Sequence, residues 1–435
     1  MVSANRGFRE FLRYVLPTTG AMLSFSAYTM VSGIIVAKGE GEVALAALNL
    51  SMPLVNMLFA VSVFFSVGAS TVIGIYKGKG DTRLASDVFS QDLFALLSLG
   101  LVFTLLTTLF PRDIARFLGG TDLTIDRVEQ FVRVTGLFSA AYLVSYNLEV
   151  MSRADGRPNM AFLGVLAGGL VTAGLGWLFV IHLTRGMVGA ALAGGLGQLA
   201  SILVYLTHFL SKRAKLKLTF AKPVKGLFKR VLSLGFSEFS NEGVLALNAF
   251  AYNRALLAVV GERGVVGYAV ISYVNTLVVM LLAGVAQANQ PLVSRRRGAR
   301  DVKGMFSLYG YGIGTALTLG FLAFGACLIF APDIVPLLVE ENSSAFDGTV
   351  NALRMFAVAF PLMGVNIVTS GFFAATENPV QSAAISLGRG VMLMVTLFTL
   401  AVFHAADAIW YAAAIAEGAC AITAMALFVR KKQKA

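Results

Sequence analysis

Residues 234–257 read LGFSEFSNEGVLALNAFAYNRALL. The stretch is apolar and long enough to cross a bilayer, because about 20 helical residues at ~1.5 Å rise cover a hydrocarbon core of ~30 Å. It nevertheless carries two carboxylates, Glu238 and Glu242. An ionisable side chain inside a membrane helix is costly and marks a candidate functional site. At ~100° per residue, Glu238, Asn241, Glu242, Asn248, Tyr252 and Asn253 fall within an arc of roughly 140°. The rest of the helix is Leu, Val, Ala and Phe. Glu242 lies roughly 18 Å along the helix from Arg230, near the middle of a ~30 Å core, and Glu238 sits one turn closer to Arg230.

Apolar runs of this kind recur from end to end. The 435 residues are 57% hydrophobic and 13% charged, against roughly 25% charged for a water-soluble domain. The chain is therefore read as an all-α polytopic membrane protein. A β-barrel needs short alternating segments, and these runs are continuous. Twelve spans are expected, at roughly 14–37, 43–73, 88–110, 128–151, 159–182, 187–210, 231–258, 264–294, 305–330, 350–375, 380–403 and 407–429. Pro17, Pro53, Pro291 and Pro361 fall inside them and are expected to kink them.

The net charge of +12 is concentrated in alternate loops. This is the positive-inside pattern, not a nucleic-acid footprint. The densest stretch, 211–230, reads SKRAKLKLTFAKPVKGLFKR and contains no acid. It is expected to be a cytoplasmic linker, with a helix lying on anionic headgroups. Twelve spans then leave both termini cytoplasmic. The first run has no small-residue cleavage site and counts as a span.

The two halves repeat. IYKGKGD at 75–81 matches RRRGARD at 295–301, GRP at 156–158 matches ENP at 377–379, and GAALAGGLGQ at 189–198 matches IWYAAAIAE at 409–417. All three pairs are spaced by about 220 residues. The expected organisation is an N-terminal six-helix lobe (1–210), the basic linker (211–230) and a C-terminal six-helix lobe (231–435). With an even number of helices per half, the lobes should be related by a pseudo-two-fold along the membrane normal and face each other across a cleft. That is transporter architecture.

Two carboxylates at i, i+4 in a poorly hydrated site cannot both carry charge cheaply, so the pair is expected to hold an exchangeable cation. A shared proton is one occupant. Sodium is the other, at Glu238, Asn241 and Glu242, because carboxylate and carbonyl oxygens suit a hard cation. The competing reading is that the glutamates only bond neighbouring helices, for example through Arg389. Arg389 itself lies deep in the eleventh span and needs a partner, for which Glu417 is the nearest analogue. Asp92 and Glu149 lie closer to helix ends and read as interfacial, as do His182, His208 and His404. Counting back about 220 residues from the glutamates reaches Thr18 and Met22, in a helix whose polar residues are neutral. Candidate substrate-cavity residues are Asn248, Tyr252, Asn253, Tyr28, Ser32, Asn49, Gln287 and the asparagine beside Val365, Asn366. Met and Phe are plentiful and suit varied lipophilic cations. Cys327 and Cys420 lie in apolar runs and read as free thiols. No GxxxxGK[ST], HExxH or nucleophile elbow occurs. No enzyme, ATP site or cofactor is expected, and the energy source would be an ion gradient.

EVALAALNLSMPL at 42–54, GKGD at 78–81, GRPNMAFLGVLAGG at 156–169, GMVGAALAGGLGQ at 186–198, QANQPLVSRRRGA at 287–299 and AIWYAAAIAEG at 408–418 resemble the multidrug and toxic-compound extrusion (MATE) family. The resemblance runs in order over nearly the whole chain. It implies a twelve-helix antiporter with two six-helix lobes that exports organic cations and other drugs in exchange for protons or sodium. It also implies a monomer in the cytoplasmic membrane, with a small-molecule substrate, lipid contacts and no nucleic acid. Many bacterial members carry an aspartate where this chain has Ser32, and the polar pair often found in the fifth helix is replaced by Thr172 and Gly176. Members also use an acid in helix 7, for which this chain offers Glu242 or Glu238. The alternatives are a flippase for a lipid-linked oligosaccharide or lipid, and a non-transporting membrane scaffold or receptor.

Overall fold

The computed structural model describes residues 2–219, 226–337, 339, 343 and 345–433. The side chains of residues 2–6, 42, 241, 242, 245 and 246 are not among those described. The described residues are almost entirely helical. A first long helix, Val2–Gly78, leaves helical geometry at Gly41 (φ 79°, ψ −172°). That break divides it into spans Gly7–Gly41 (α1) and Val43–Gly78 (α2). The backbone stays helical through Pro17 and Pro53, so the interruption falls at the residue that tolerates a positive φ and not at a proline. There follow α3 (Thr82–Leu109), the short α4 (Pro111–Phe117), α5 (Ile125–Leu137), α6 (Ser139–Ala154), α7 (Pro158–Gly176) and α8 (Gly186–Phe209). The second half contains α9 (Leu227–Val259), α10 (Glu262–Gly298), α11 (Val302–Ile334), α12 (Phe346–Ala357), α13 (Ala359–Ala375), α14 (Pro379–Val402) and α15 (Ala412–Gln433).

Ten of the described helical segments are long and apolar enough to cross a membrane. The α5–α6 pair and the 33-residue α9 bring the spans to twelve, six in each half. The fourth span of each half is two helices, not one. At Val358 the cause is Pro361, which has no N–H to offer the Ala357 carbonyl one turn back. At Phe138 no proline is involved. There the Thr104 hydroxyl donates to the Gly136 carbonyl at 2.8 Å, satisfying the acceptor that the break frees.

The internal repeats are helix boundaries. Asp81 and Asp301 each cap the third helix of their half, accepting from the Leu84 and Gly304 amides at 2.9 Å. Pro158 and Pro379 each open the fifth helix, where a missing N–H costs nothing.

The chain divides into two compact units. The N-terminal lobe is Leu16–Gly235. In it α7 and α8 pack through small residues. The Ser201 hydroxyl donates to the Gly164 carbonyl at 2.9 Å, and a Cβ on Gly168 would lie 2.9 Å from the Gly197 carbonyl oxygen. Leu227, Val231 and Leu234, at the start of α9, are buried in this lobe's core with Ile73, Phe89 and Leu216. The C-terminal lobe is Met1–Val15 with Phe236–Ala435. Its core holds Phe11 from the start of α1 together with Tyr309, Phe356, Phe360 and Phe372. Glu10 accepts from Arg295 and Arg296 at 2.5 and 3.0 Å, which ties the start of α1 to the end of α10.

Residues 211–219 of the basic linker are docked on the N-terminal lobe. Asp155 accepts from the backbone amides of Lys215 and Leu216 at 3.0 and 3.2 Å. The Lys217 and Thr219 amides bond Ser86 and Ser90, and the Thr219 hydroxyl donates to Asp87 at 2.7 Å. This part of the linker is non-helical, and Leu216 is fully buried. The headgroup-helix expectation for Lys222 and Lys225 falls on residues 220–225, outside the described residues.

Candidate functional site

In the C-terminal lobe, Glu238 is half-buried on α9 and accepts from the buried Gln290 amide of α10 at 2.9 Å. Two further helices bring Arg389 (α14) and Glu417 (α15) together. Arg389 donates through Nε at 2.9 Å and Nη2 at 2.7 Å to the same Glu417 oxygen, and through Nε at 3.0 Å to the other. The buried Asn366 of α13 adds a 2.6 Å bond to Glu417 Oε2 and a 2.9 Å bond to its backbone carbonyl. The pairing expected from the isolated charge of Arg389 is present. Arg389 also interacts electrostatically with Glu238. Five helices thus converge on one polar cluster: an acid and its cation, mutually neutralised, beside a second acid that accepts from an amide.

Glu242 and Asn241 lie outside the described residues, as far as their side chains are concerned. Asn248 is half-buried with its Oδ1 unpartnered. Tyr252 is in the lobe's core, 1% exposed, stacked on Tyr268 at 4.6 Å and tilted against Phe356. Asn253 is exposed and lines a surface depression with Phe250, Arg254 and Glu262. Gln287 is half-buried on α10, one turn from Gln290. Of the candidates in this lobe, Glu238 and Asn366 belong to the cluster. Tyr252 and Asn253 do not.

In the N-terminal lobe, Tyr28 is half-buried with its ring against Phe25 at 5.2 Å. Ser32 is half-buried with an unpartnered hydroxyl, and Asn49 is exposed. The polar centre of this lobe lies elsewhere. Asp92 (α3) and Glu149 (α6), which their sequence positions place near helix ends, are covered by protein. They are buried, at 4% and 6% exposure. Asp92 accepts from Asn147 of α6 at 2.6 Å, and Asn147 also bonds Ser66 of α2 at 3.0 Å. Glu149 forms an ion pair with Arg153 one turn along the same helix. His208 is buried as well, 2.9 Å from Asp155, which also receives Lys77 at 2.7 Å. These groups were missed because their distance from a helix end, counted along the sequence, says nothing about which neighbour covers that end. Among the described residues, no three His, Cys, Asp or Glu side chains gather as a metal site. Cys327 and Cys420 are both buried and free.

Twelve spans in two lobes, each with ionisable groups buried inside apolar helices, define a multi-pass membrane transporter. The MatE family model matches residues 17–178 and 249–399, and the chain belongs to that family. Among curated relatives, the multidrug export protein MepA of Staphylococcus aureus (strain NCTC 8325 / PS 47) is 22% identical over 423 residues, covering 96% of this chain and 92% of its own. MepA of Staphylococcus haemolyticus is 21% identical over 421 residues, with the same coverage of 96% and 92%. Among solved structures, a MATE transporter in complex with MaL6 superposes with a TM-score of 0.92 at 22% identity, covering 98% of this chain and 96% of its own. At that identity the likeness is one of fold.

Proposed function

We propose that this chain exports lipophilic organic cations from the cell by antiport with a proton or sodium ion, working by alternating access in the cytoplasmic membrane with both termini inside. The observation that carries the reading is Glu238. It is an acid within a membrane helix, half-buried, held by the neutral Gln290 amide, and beside an Arg389 whose charge Glu417 already offsets. A fixed Arg–Glu pair leaves the neighbouring carboxylate as the group whose charge is free to change, and Glu242 one turn further on is its expected companion. An ion drives transport only if it binds the two facing states with different affinity. Cation bound at Glu238 and Glu242 opposes binding of a cationic drug and favours one facing. Export of drugs by the MepA relatives supports the substrate class. The pairing of Arg389 with Glu417 speaks against a flippase, which would need cationic groups available to a lipid phosphate.

The test is ethidium export from proteoliposomes under an imposed proton gradient and, separately, an imposed sodium gradient. Wild-type protein exports with one of the two. Glu238→Gln and Glu242→Gln are each expected to lower gradient-driven export by roughly tenfold or more, the scale of a typical coupling. Full export by both variants would remove the coupling assignment.

A further inference from the structure

Residues 14–37 of the first helix contain no carboxylate, yet the N-terminal lobe contains Asp92 in a setting that no part of the antiport reading uses. Asp92 lies ten residues into α3, roughly 15 Å from its start. Its side chain is buried, and among the described residues its hydrogen bond is the 2.6 Å contact with Asn147 Nδ2. Among the described residues, no Lys, Arg or His forms an ion pair with it. Charged groups on the helices around it are engaged elsewhere. On α6, Glu149 is held by Arg153. On α2, Lys77 is held by Asp155. On α3 itself, Asp87 accepts from Thr219 and Arg83 is exposed. On α5, Asp126, Glu129 and Arg133 form ion pairs with Arg112 or with each other.

One neutral amide is too little to hold a buried ionised carboxylate, which needs a cation or several donors. A second observation points the same way. Asn147 is fully buried, and its Oδ1 has no hydrogen-bond partner. A carboxamide offers N–H donors on one side and a carbonyl acceptor on the other. Turned as it stands, Asn147 donates to a charged Asp92. Turned by half a rotation, the same side chain presents its orphaned carbonyl to accept the O–H of a neutral Asp92. Ser66 Oγ, 3.0 Å from Asn147 Nδ2, bonds the amide in either setting, since a hydroxyl both donates and accepts.

We propose that Asp92 and Asn147 form a proton-binding site within the N-terminal lobe, separate from Glu238, with Asn147 as the partner that serves both protonation states. Asp92 is the group that binds the proton, and Asn147 and Ser66 position it. The binding itself does not depend on the antiport reading. Only its place in a transport cycle does.

The test is infrared difference spectroscopy of the purified full-length protein across a pH titration in sodium-free buffer. Wild type should show a protonated-carboxyl component that disappears in Asp92→Asn and persists in Glu238→Gln. Asn147→Leu, which removes the partner and keeps the acid, should move that component in frequency without abolishing it. If Asp92→Asn does not fold, the Asn147→Leu shift decides. A folded Asp92→Asn with an unchanged carboxyl band, or an Asn147→Leu spectrum identical to wild type, overturns the proposal. So does a component that sodium displaces at fixed pH, which would make the site one for sodium. Absence of gradient-driven ethidium export in the wild type, with the Asp92 component present, would count against the antiport reading and leave this one standing.

Discussion

The two lobes solve the same electrostatic problem with different residues. Each buries one acid against an arginine: Glu149 with Arg153 in the N-terminal lobe, Glu417 with Arg389 in the C-terminal lobe. Each also places a second acid against a side-chain amide: Asp92 against Asn147, Glu238 against Gln290. The ion pairs are neutral as units and fix helices. Among the described residues no cation forms an ion pair with Asp92, so a change in its charge would leave no opposite charge stranded. The lobes differ in where this happens. The amide-held acid is on the first span of the C-terminal lobe and on the third span of the N-terminal lobe, where residues 14–37 of α1 supply only neutral polar side chains. A matching fold therefore does not require matching site positions.

The sharpest way to break the comparison is to strip an ion pair. Arg389→Met leaves Glu417 buried without its cation, an expected loss of about 3–5 kcal/mol in unfolding stability, whereas Arg389→Met with Glu417→Met should recover most of it. Denaturant unfolding in detergent checks both, and a mild single variant would show that Glu417 does not need the arginine. Next comes Asp155→Ala, which removes the acceptor shared by Lys77, His208 and two linker amides. It should cost about 3 kcal/mol and expose 211–219 to protease. Gly168→Val should cost about 1–3 kcal/mol, because its side chain meets Ser201 and the Gly197 carbonyl where α7 and α8 touch.

The smallest effect concerns the turns that the repeats share. Gly80 and Gly156 take φ of 86° and 93°, while their C-terminal counterparts Arg300 and Glu377 both sit at 57°. A side chain in the left-handed region is strained, so Arg300→Gly and Glu377→Gly should each stabilise by roughly 1 kcal/mol or less. A rise in unfolding midpoint checks this.

The spans, their number and the repeat were legible because membrane thickness sets run length and because caps such as Asp81 and Asp301 recur at fixed spacing. The Arg389–Glu417 pair was legible because a deep lone cation demands an anion. Other features were not. The break at Val358 can be read from Pro361, but the one at Phe138 depends on Thr104, a residue on another helix. Asp92 and His208 sit near helix ends by count and are covered by α6 and by Asp155, contacts that leave no mark in hydropathy. The docked linker is held by Ser, Thr and Asp side chains meeting backbone amides, and composition alone reads those residues as solvated.

The proposed antiport requires that an exchangeable cation at Glu238 compete with the drug. Equilibrium binding of ethidium to the purified protein tests it, measured as pH is lowered and, separately, as sodium is raised. Wild-type affinity is expected to fall in one of the two series, with Glu238→Gln flat in both. Affinity that responds to neither ion in the wild type, or a Glu238→Gln response as steep as wild type, would contradict it.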